Sequence, residues 1–549
     1  MRLNSRTRQR TMPREGRSPA VCDAGTDTSV EPHWMKTVRA SSHARGGPGL
    51  PAVFSITLAF RNLEMQNDFR QSHEACDRRR GLSGFWGWRK PGSSIYRALI
   101  EEQFRRLPTL LPRGSMSVLK TAPDFPPALR RLFLMLLVPL AGCAASDDGE
   151  GVASSDATVF EGARVIVGDG TAPIENAAIV VESGRITAVG AVSEVQAPAG
   201  AARVDLAGKT VMPAIVNAHM HLSTIRADAV GELEHLAYYG VGTAISLGHD
   251  EGSETMALRD DPVPGAARFL NSGRGITRPE PGRSEAPYWI DTEADAQHAV
   301  QELAGAQVDM VKIWVDDRNG QYQKLTPALY GAVIDEAHQH DLMVTAHIFS
   351  LSDAKGLLRA GLDAFAHSVR DQDVDDEFIT LVQEHPDFVL VPNLPGPGIA
   401  ADLSWLSGTV PAEQLATMQA RATDNPSAQA SFGIQARNLV RMFEAGVRIS
   451  FGTDGGSPWA AHQEIEDMVT AGLTPSQVIV AATSTSAEFL GLADDIGTLA
   501  TGRSADFVVL DANPLDDITN TRRIASVYLR GTEVDRAAIS SRLLAAGER

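Results

Sequence analysis

Residues 211–223 read VMPAIVNAHMHLS, an apolar run that closes on two histidines, His219 and His221, one residue apart. Side chains alternate along an extended chain, so histidines at i and i+2 point to the same side. One such pair is compatible with a metal ion between the rings, and equally with two polar residues finishing a strand. The decision rests on whether other strands in the chain end the same way.

Downstream, strand-like and helix-like runs alternate, the pattern of parallel βα units. Eight strand candidates stand at 211–218, 241–247, 267–272, 308–315, 342–347, 362–367, 387–393 and 446–453. Between them, 326–340 places Leu329, Val333, Ile334 and Ala337 on one helical stripe, and 428–446 forms a longer amphipathic run ended by Gly446. Eight parallel strands with intervening helices predict an α/β fold, a (β/α)8 TIM barrel over 212–490, with its active site at the C-terminal ends of the strands. The Val- and Ile-rich runs of 158–211 and 491–549, broken by Gly and Asn turns, predict a small β-sandwich domain built from the segments before and after the barrel.

The strand ends carry the chemistry. The fifth candidate ends at His347, the sixth at His367 and the eighth at Asp454, followed by glycines that permit a sharp turn. A lone strand-end histidine is usually a packing residue. Four histidines and an aspartate closing strands of one barrel are poorly explained that way, and neutral imidazole with carboxylate is a donor set for zinc and related divalent ions. The fourth strand, VDMVKIWVDD, holds Lys312 in mid-run, with Val311, Ile313 and Val315 facing one way and Met310, Lys312 and Trp314 the other. A lysine so placed is desolvated, paired or chemically altered, because burying a bare ammonium is costly. It either reaches the strand end to pair with Asp316 or Asp317, or takes an anionic form beside a metal.

These residues resemble the amidohydrolase superfamily over roughly 158–535: His219-x-His221 after MPAIVNA, then Lys312, His347, His367 and Asp454, in the family's order and on its strands. The C-terminal run TPSQVIVAATSTSAEFLGL…GTLATGRSADFVVLDANPL is similar too, and within the superfamily the chain looks most like the imidazolonepropionase-like and Xaa-Pro dipeptidase-like branch. The resemblance implies two divalent metal ions, typically zinc, with manganese, cobalt and iron left open. His219, His221 and Asp454 would hold one, His347 and His367 the other, and Lys312, carboxylated by carbon dioxide, would bridge them. It implies a bridging hydroxide as nucleophile and Asp454 as the catalytic base and then acid, in the hydrolysis of a C–N bond of an amide, cyclic amide or dipeptide-like small molecule. An esterase, lactonase or phosphotriesterase on the same centre is the nearest alternative. A deaminase is a more distant one, and a non-catalytic binding lipoprotein belongs to a different class.

Candidate substrate-binding residues follow from position past the strand ends: His249, Arg274, Tyr322, Asn393, Trp459 and His462. The long Pro-, Gly- and Arg-rich loop 273–289 reads as a lid that could also bring Arg278 and Tyr288 to a pocket. One departure from the dipeptidase-like pattern stands out. Where those relatives often carry a tyrosine just after the strand-five histidine, this chain has Ile348 and Phe349, which puts peptide specificity in doubt.

Bulk properties bound the rest. With 43% apolar and 21% charged residues the 549-residue chain has a globular composition, and a net charge of −18 argues against a nucleic-acid partner. The charge is uneven, about +10 over 1–115 and about −28 beyond it, which marks unlike segments. Residues 116–143 combine Lys120, Arg130 and Arg131 with LFLMLLVPLAG, too short an apolar run to span a bilayer but suited to a signal-peptide core. The run ends in Leu140-Ala141-Gly142-Cys143, which resembles the lipobox of bacterial lipoproteins. That resemblance implies a lipid anchor on Cys143, a flexible tether over 144–157, and a cell-envelope location facing the periplasm (outer membrane) or outside the cell. A short buried helix ending in cysteine is the plain alternative. Met116 would then be the true start, with 1–115 an upstream extension. With Cys22 and Cys76 in that segment, no disulfide framework is expected. The oligomeric state is left open.

Overall fold

The computed structural model describes residues 156–250, 253–455 and 457–547. The signal-like segment, Cys143 and most of the tether therefore lie outside the described residues. The chain enters through β1 (Thr158–Val165), β2 (Ile174–Glu182), β3 (Arg185–Ala191), β4 (Ala202–Asp205) and β5 (Thr210–Pro213). Alternation is strict where it matters. Val159, Ala178 and Val180 pack on one face, while Phe160, Ile179 and Val181 pack on the other.

Parallel strands follow: β6 (Ile215–Met220), β7 (Val241–Gly248) and β8 (Arg268–Arg274) in one hydrogen-bonded set. The short β9 (Ile276–Thr277) and β10 (Tyr288–Trp289) lead into β11 (Val311–Val315), β12 (Val344–Ile348), β13 (Ala364–Ala366), β14 (Val389–Val391) and β15 (Arg448–Ile449). Every pairing within these two sets is parallel. All eight strand candidates of the sequence therefore coincide with parallel strands. The first needs correction. Residues 211–213 belong to β5 and pair antiparallel with the C-terminal segment, and the parallel strand begins only at Ile215. The break falls at Pro213, which has no N–H to give a ladder.

The two parallel sets meet along two seams. The run 268–277 pairs with β7 through β8 and with β11 through β9, reinforced by Asp309 N donating to Asn271 O at 2.9 Å. At the other seam Ala218 N donates to Phe451 O at 2.8 Å. Side chains from both sets (Val216, Ile245, Leu270, Met310, Ala364 and Val389) form one apolar cluster, while Val311, Ile313 and Val315 face the helices as their alternation predicts.

Helices form where the sequence caps them. Thr326 accepts from Leu329 N at the start of Pro327–Gln339, and Asn425 caps Pro426–Glu444 in the same way. Leu329, Val333, Ile334 and Ala337 are buried together, so the stripe read from sequence is the packed face.

The C-terminal β16 (Phe507–Leu510), β17 (Ile524–Leu529) and β18 (Thr532–Glu533) return to the first sheet, where β16 pairs with β5. The predicted sandwich is thus a single hydrogen-bonded sheet of eight strands rather than two sheets. Its bend lies in β1, where the register shifts around Gly162 (φ 92°) and the strand exchanges β4 for β5 as neighbour. That bend brings Phe160 edge-on to Phe507 and Tyr528, with ring centroids 5.1 and 4.8 Å away.

Candidate metal centre

The ends of β6, β12 and β13, the inward face of β11 and the chain that follows β15 bring polar groups to one place. Ligand atoms of His219, His367 and Asp454 all lie within 4.8 Å of one another. Asp454 Oδ1 is 3.2 Å from His219 Nε2 and 3.1 Å from His221 Nε2, and its Oδ2 is 3.4 Å from His367 Nε2. His367 and Asp454 hold φ angles of 128° and 53°, conformations that non-glycine residues rarely adopt and that concentrate at functional sites. Backbone bonds fix the arrangement, since Thr453 N and Asp454 N both donate to His219 O, at 3.0 and 2.9 Å.

Lys312 is fully buried and its Nζ lies 3.0 Å from His219 Nε2. It meets neither Asp316 nor Asp317, which corrects the simple strand-end pairing. The strand's alternation turns Lys312 inward, whereas Asp316 bonds His347 Nε2 at 3.1 Å and Arg318 at 2.7 Å. Burial pushes the Lys312 amine down to about 7, against the pull of Asp454. A neutral amine near that pH is the form that reacts with carbon dioxide.

Burial likewise drives the imidazoles toward neutrality. It acts with the Lys312 charge to hold His219 well below its ordinary value, and with neighbouring His347 to do the same to His367. His347 falls to about 3, chiefly by burial, although its bond to Asp316 opposes the shift. Burial alone would raise Asp454, but His219, the hydrogen bond from His221 and the Lys312 charge outweigh it and keep the carboxylate ionised.

The donor set fits a divalent cation. With Nδ1 of His219 donating to Asn393 Oδ1 at 2.9 Å, its Nε2 presents a lone pair toward a carboxylate oxygen. His367 Nε2 is buried without any hydrogen-bond partner. His219 Nε2 thus meets the Asp454 carboxylate and the Lys312 amine, and neutral histidine with aspartate is a donor set that suits zinc or a similar ion. His347 stands at the edge of this set. Its ring is 4.7 Å from that of His367, but Nε2 is engaged by Asp316 and by Arg318 Nη1 at 3.0 Å.

The remaining candidates separate cleanly. His249 joins the site, with Nδ1 3.1 Å from His221 Nδ1, its ring 5.5 Å from that of Trp314, and a value of about 4 set by burial. Asn393 orients His219, the outer-partner role common to metal-binding histidines. Arg274 instead braces its own loop, donating to Ala286 O at 2.6 Å with its guanidinium 4.1 Å from the centre of the Tyr288 ring. Tyr322 donates to Pro281 O and, with Arg278, lines a separate cavity of about 650 Å³. His462 is buried between Thr521 and the Tyr239 carbonyl, and Trp459 packs near His235. None of these four residues is brought to the cluster; each makes its contacts locally. Asp316, Arg318 and Arg370 were not legible as site residues. Asp316 was visible only as a strand-end carboxylate, and the two arginines only as charges in loops.

Comparison with known proteins places the chain among hydrolases. The profile of the amidohydrolase family matches residues 210–534. A Deinococcus deserti imidazolonepropionase is 27% identical over 394 residues, covering 66% of this chain and 92% of that protein. The solved structure of a candidate prolidase from Bifidobacterium longum is 30% identical, with a TM-score of 0.58, and covers 72% of this chain and all of that one. A Xaa-Pro dipeptidase solved with methionine in its active site shares the fold at 21% identity, with a TM-score of 0.56 and coverage of 69% and 99%.

Proposed function

The chain belongs to the amidohydrolase family, and on that premise we propose that it is a metal-dependent hydrolase of a C–N bond in an amide, cyclic amide or dipeptide-like small molecule. The observation that carries this reading is the convergence of His219, His367 and Asp454 within 4.8 Å, joined by His221 and by a buried Lys312. The two seams between the parallel sets and their shared apolar cluster support a closed (β/α)8 barrel, with these residues at its C-terminal mouth. In a binuclear form His219, His221 and Asp454 would hold one ion and His347 and His367 the other, with Lys312, once carboxylated, as a ligand shared between them. Divalent ions held there would polarise a carbonyl and lower the pKa of water.

The chain's own residues then do the proton work. Asp454, ionised and partly open to solvent, accepts a proton at its carboxylate and returns it to the leaving nitrogen. His221 and His249 share a proton between their Nδ1 atoms, which fixes the His221 tautomer. Asn393 holds His219 with Nε2 turned inward.

The test is metal content per chain, on protein expressed from residue 144 onward, purified without chelators and supplied with bicarbonate. Near two equivalents, falling sharply in Lys312→Ala, agrees with the bridged centre. One equivalent unaffected by Lys312→Ala removes the bridge and favours a deaminase, and no metal at all ends the catalytic reading. The lipid anchor on Cys143 is a separate proposal, and an unlipidated cytoplasmic product from a chain started at Met116 in a bacterial host would refute it.

A further inference from the structure

Glu464, in the helix Ala460–Ala471, is a buried carboxyl group with no cation paired to it among the described residues. Burial and the negative charges of Asp467 and Asp454 push it upward, against the pull of backbone amides. A buried carboxylate without a counter-charge is a net cost to the fold, and an apolar side chain would pack the helix better. Its bonds show what it does instead. The two oxygens stand 3.1 and 2.9 Å from Leu394 N, some 70 residues earlier in the chain, and the Asn393 amide bonds it as well.

The backbone held in this way carries the support of His219. Asn393 has φ 46°, a conformation that persists where the surrounding structure imposes it. Its Oδ1 accepts from His219 Nδ1 at 2.9 Å, while its Nδ2 is buried and makes no hydrogen bond. The bond to the ring it orients is thus the side chain's own polar anchor, so the direction of the Asn393 amide is inherited from its backbone. That backbone lies past the end of β14 at Val391, beyond the strand ladder, and the carboxyl group of Glu464 takes the ladder's place.

We propose that Glu464 is a positioning residue of the metal centre: by holding the amides of Asn393 and Leu394 it fixes the left-handed turn from which Asn393 aims Nε2 of His219 inward. The consequence for metal binding rests on the metal-dependent hydrolase reading, but the relay from Glu464 to His219 stands on its own bonds. Glu464 acts through Asn393 and takes no part in proton transfer.

The test is a mutant cycle on the full chain, read as zinc affinity by competition against a chromogenic chelator. Glu464→Met removes the acceptor, Glu464→Asp keeps the charge but withdraws it from the amides, and Glu464→Gln keeps the reach and one acceptor oxygen. Loss of a ligand's outer support predicts a fall of ~10–100-fold in the first two variants. Glu464→Gln should stay within about fivefold of wild type. Asn393→Gly cuts the relay, so on that background Glu464→Met should change affinity by no more than about twofold. An equal fall on both backgrounds would show a general packing role and overturns the proposal. So does affinity within twofold of wild type in Glu464→Met, or affinity kept in Glu464→Asp but lost in Glu464→Gln, which would show charge rather than reach at work. Should Glu464→Met fail to fold, Glu464→Asp carries the same cycle and the same criteria. If the wild type takes up no zinc, the metal reading fails by itself, and nitrogen NMR of the histidine-labelled, metal-free chain decides the relay. His219 held as the Nδ1–H tautomer in wild type and mixed in Glu464→Met upholds it, and an unchanged tautomer overturns it.

Discussion

Gly452 offers the sharpest test of how the centre is held. It lies just beyond β15, where the chain crosses the end of β6, and a Cβ built there would sit 2.9 Å from His219 N, 2.7 Å from His219 Cβ and 2.6 Å from Val391 Cγ1. Ordinary contacts begin near ~3.4 Å, so Gly452→Ala must drive the two strand ends apart by roughly 0.5–0.8 Å, an overpacking cost of about 1–3 kcal/mol. His219 N is backbone and the position of His219 Cβ is set by it, so a rotamer change cannot relieve two of the three collisions. The displacement passes directly to the ligands, because Thr453 N and Asp454 N both hang on His219 O. Metal sites tolerate about 0.2 Å in ligand position, so affinity should drop by roughly 10–100-fold, the range seen when a ligand's support is removed. Gly231 is the control, a glycine inside the helix Arg226–Tyr238 with nothing within 4 Å of its added Cβ. Gly231→Ala should leave metal binding untouched and stabilise the fold by up to ~1 kcal/mol. The assay is competition for zinc against a chromogenic chelator, beside urea melts of both variants. Zinc affinity in Gly452→Ala within twofold of wild type would refute the idea that Asp454 is positioned through this crossing.

Three further outcomes are expected. Lys312 is pushed down to about 7 from 10.5 by burial, so between those values the unfolded chain binds a proton that the folded one does not. Stability of the metal-free protein should therefore rise with pH across that window, by up to ~2 kcal/mol between pH 7.5 and 9, and Lys312→Met should abolish the rise; urea melts at fixed pH read it. Asn393 has φ 46° and orients His219, so Asn393→Gly, which keeps the backbone but loses the acceptor, should weaken metal binding roughly 10–100-fold while Asn393→Asp retains it. Phe507 is fully buried between Phe160 and Tyr528, and Phe507→Ala should destabilise the chain by about 3–5 kcal/mol, a cost seen as an earlier denaturation midpoint.

Much of this was written in local sequence. Alternation over VKIWV is enough to place Val311, Ile313 and Val315 outward and Lys312 inward, because strand geometry leaves no other choice. Thr326 and Asn425 mark their helices through side chains that bond the first free amides. The histidines and Asp454 could be named because polar residues closing apolar strands are conspicuous one strand at a time.

Tertiary structure decided what local pattern has no means to encode. The run 211–218 reads as one strand, yet Pro213 divides it between two sheets, because its first part finds a partner some 300 residues away in β16. Lys312 meets His219 rather than the nearby aspartates, and His347 is held by Asp316 and Arg318 at the margin of the donor set. Asn393 became a support for His219. The physical reason is common to all of these. A strand's period determines the side on which a residue lies, but its partner depends on which distant strand ends the fold brings together.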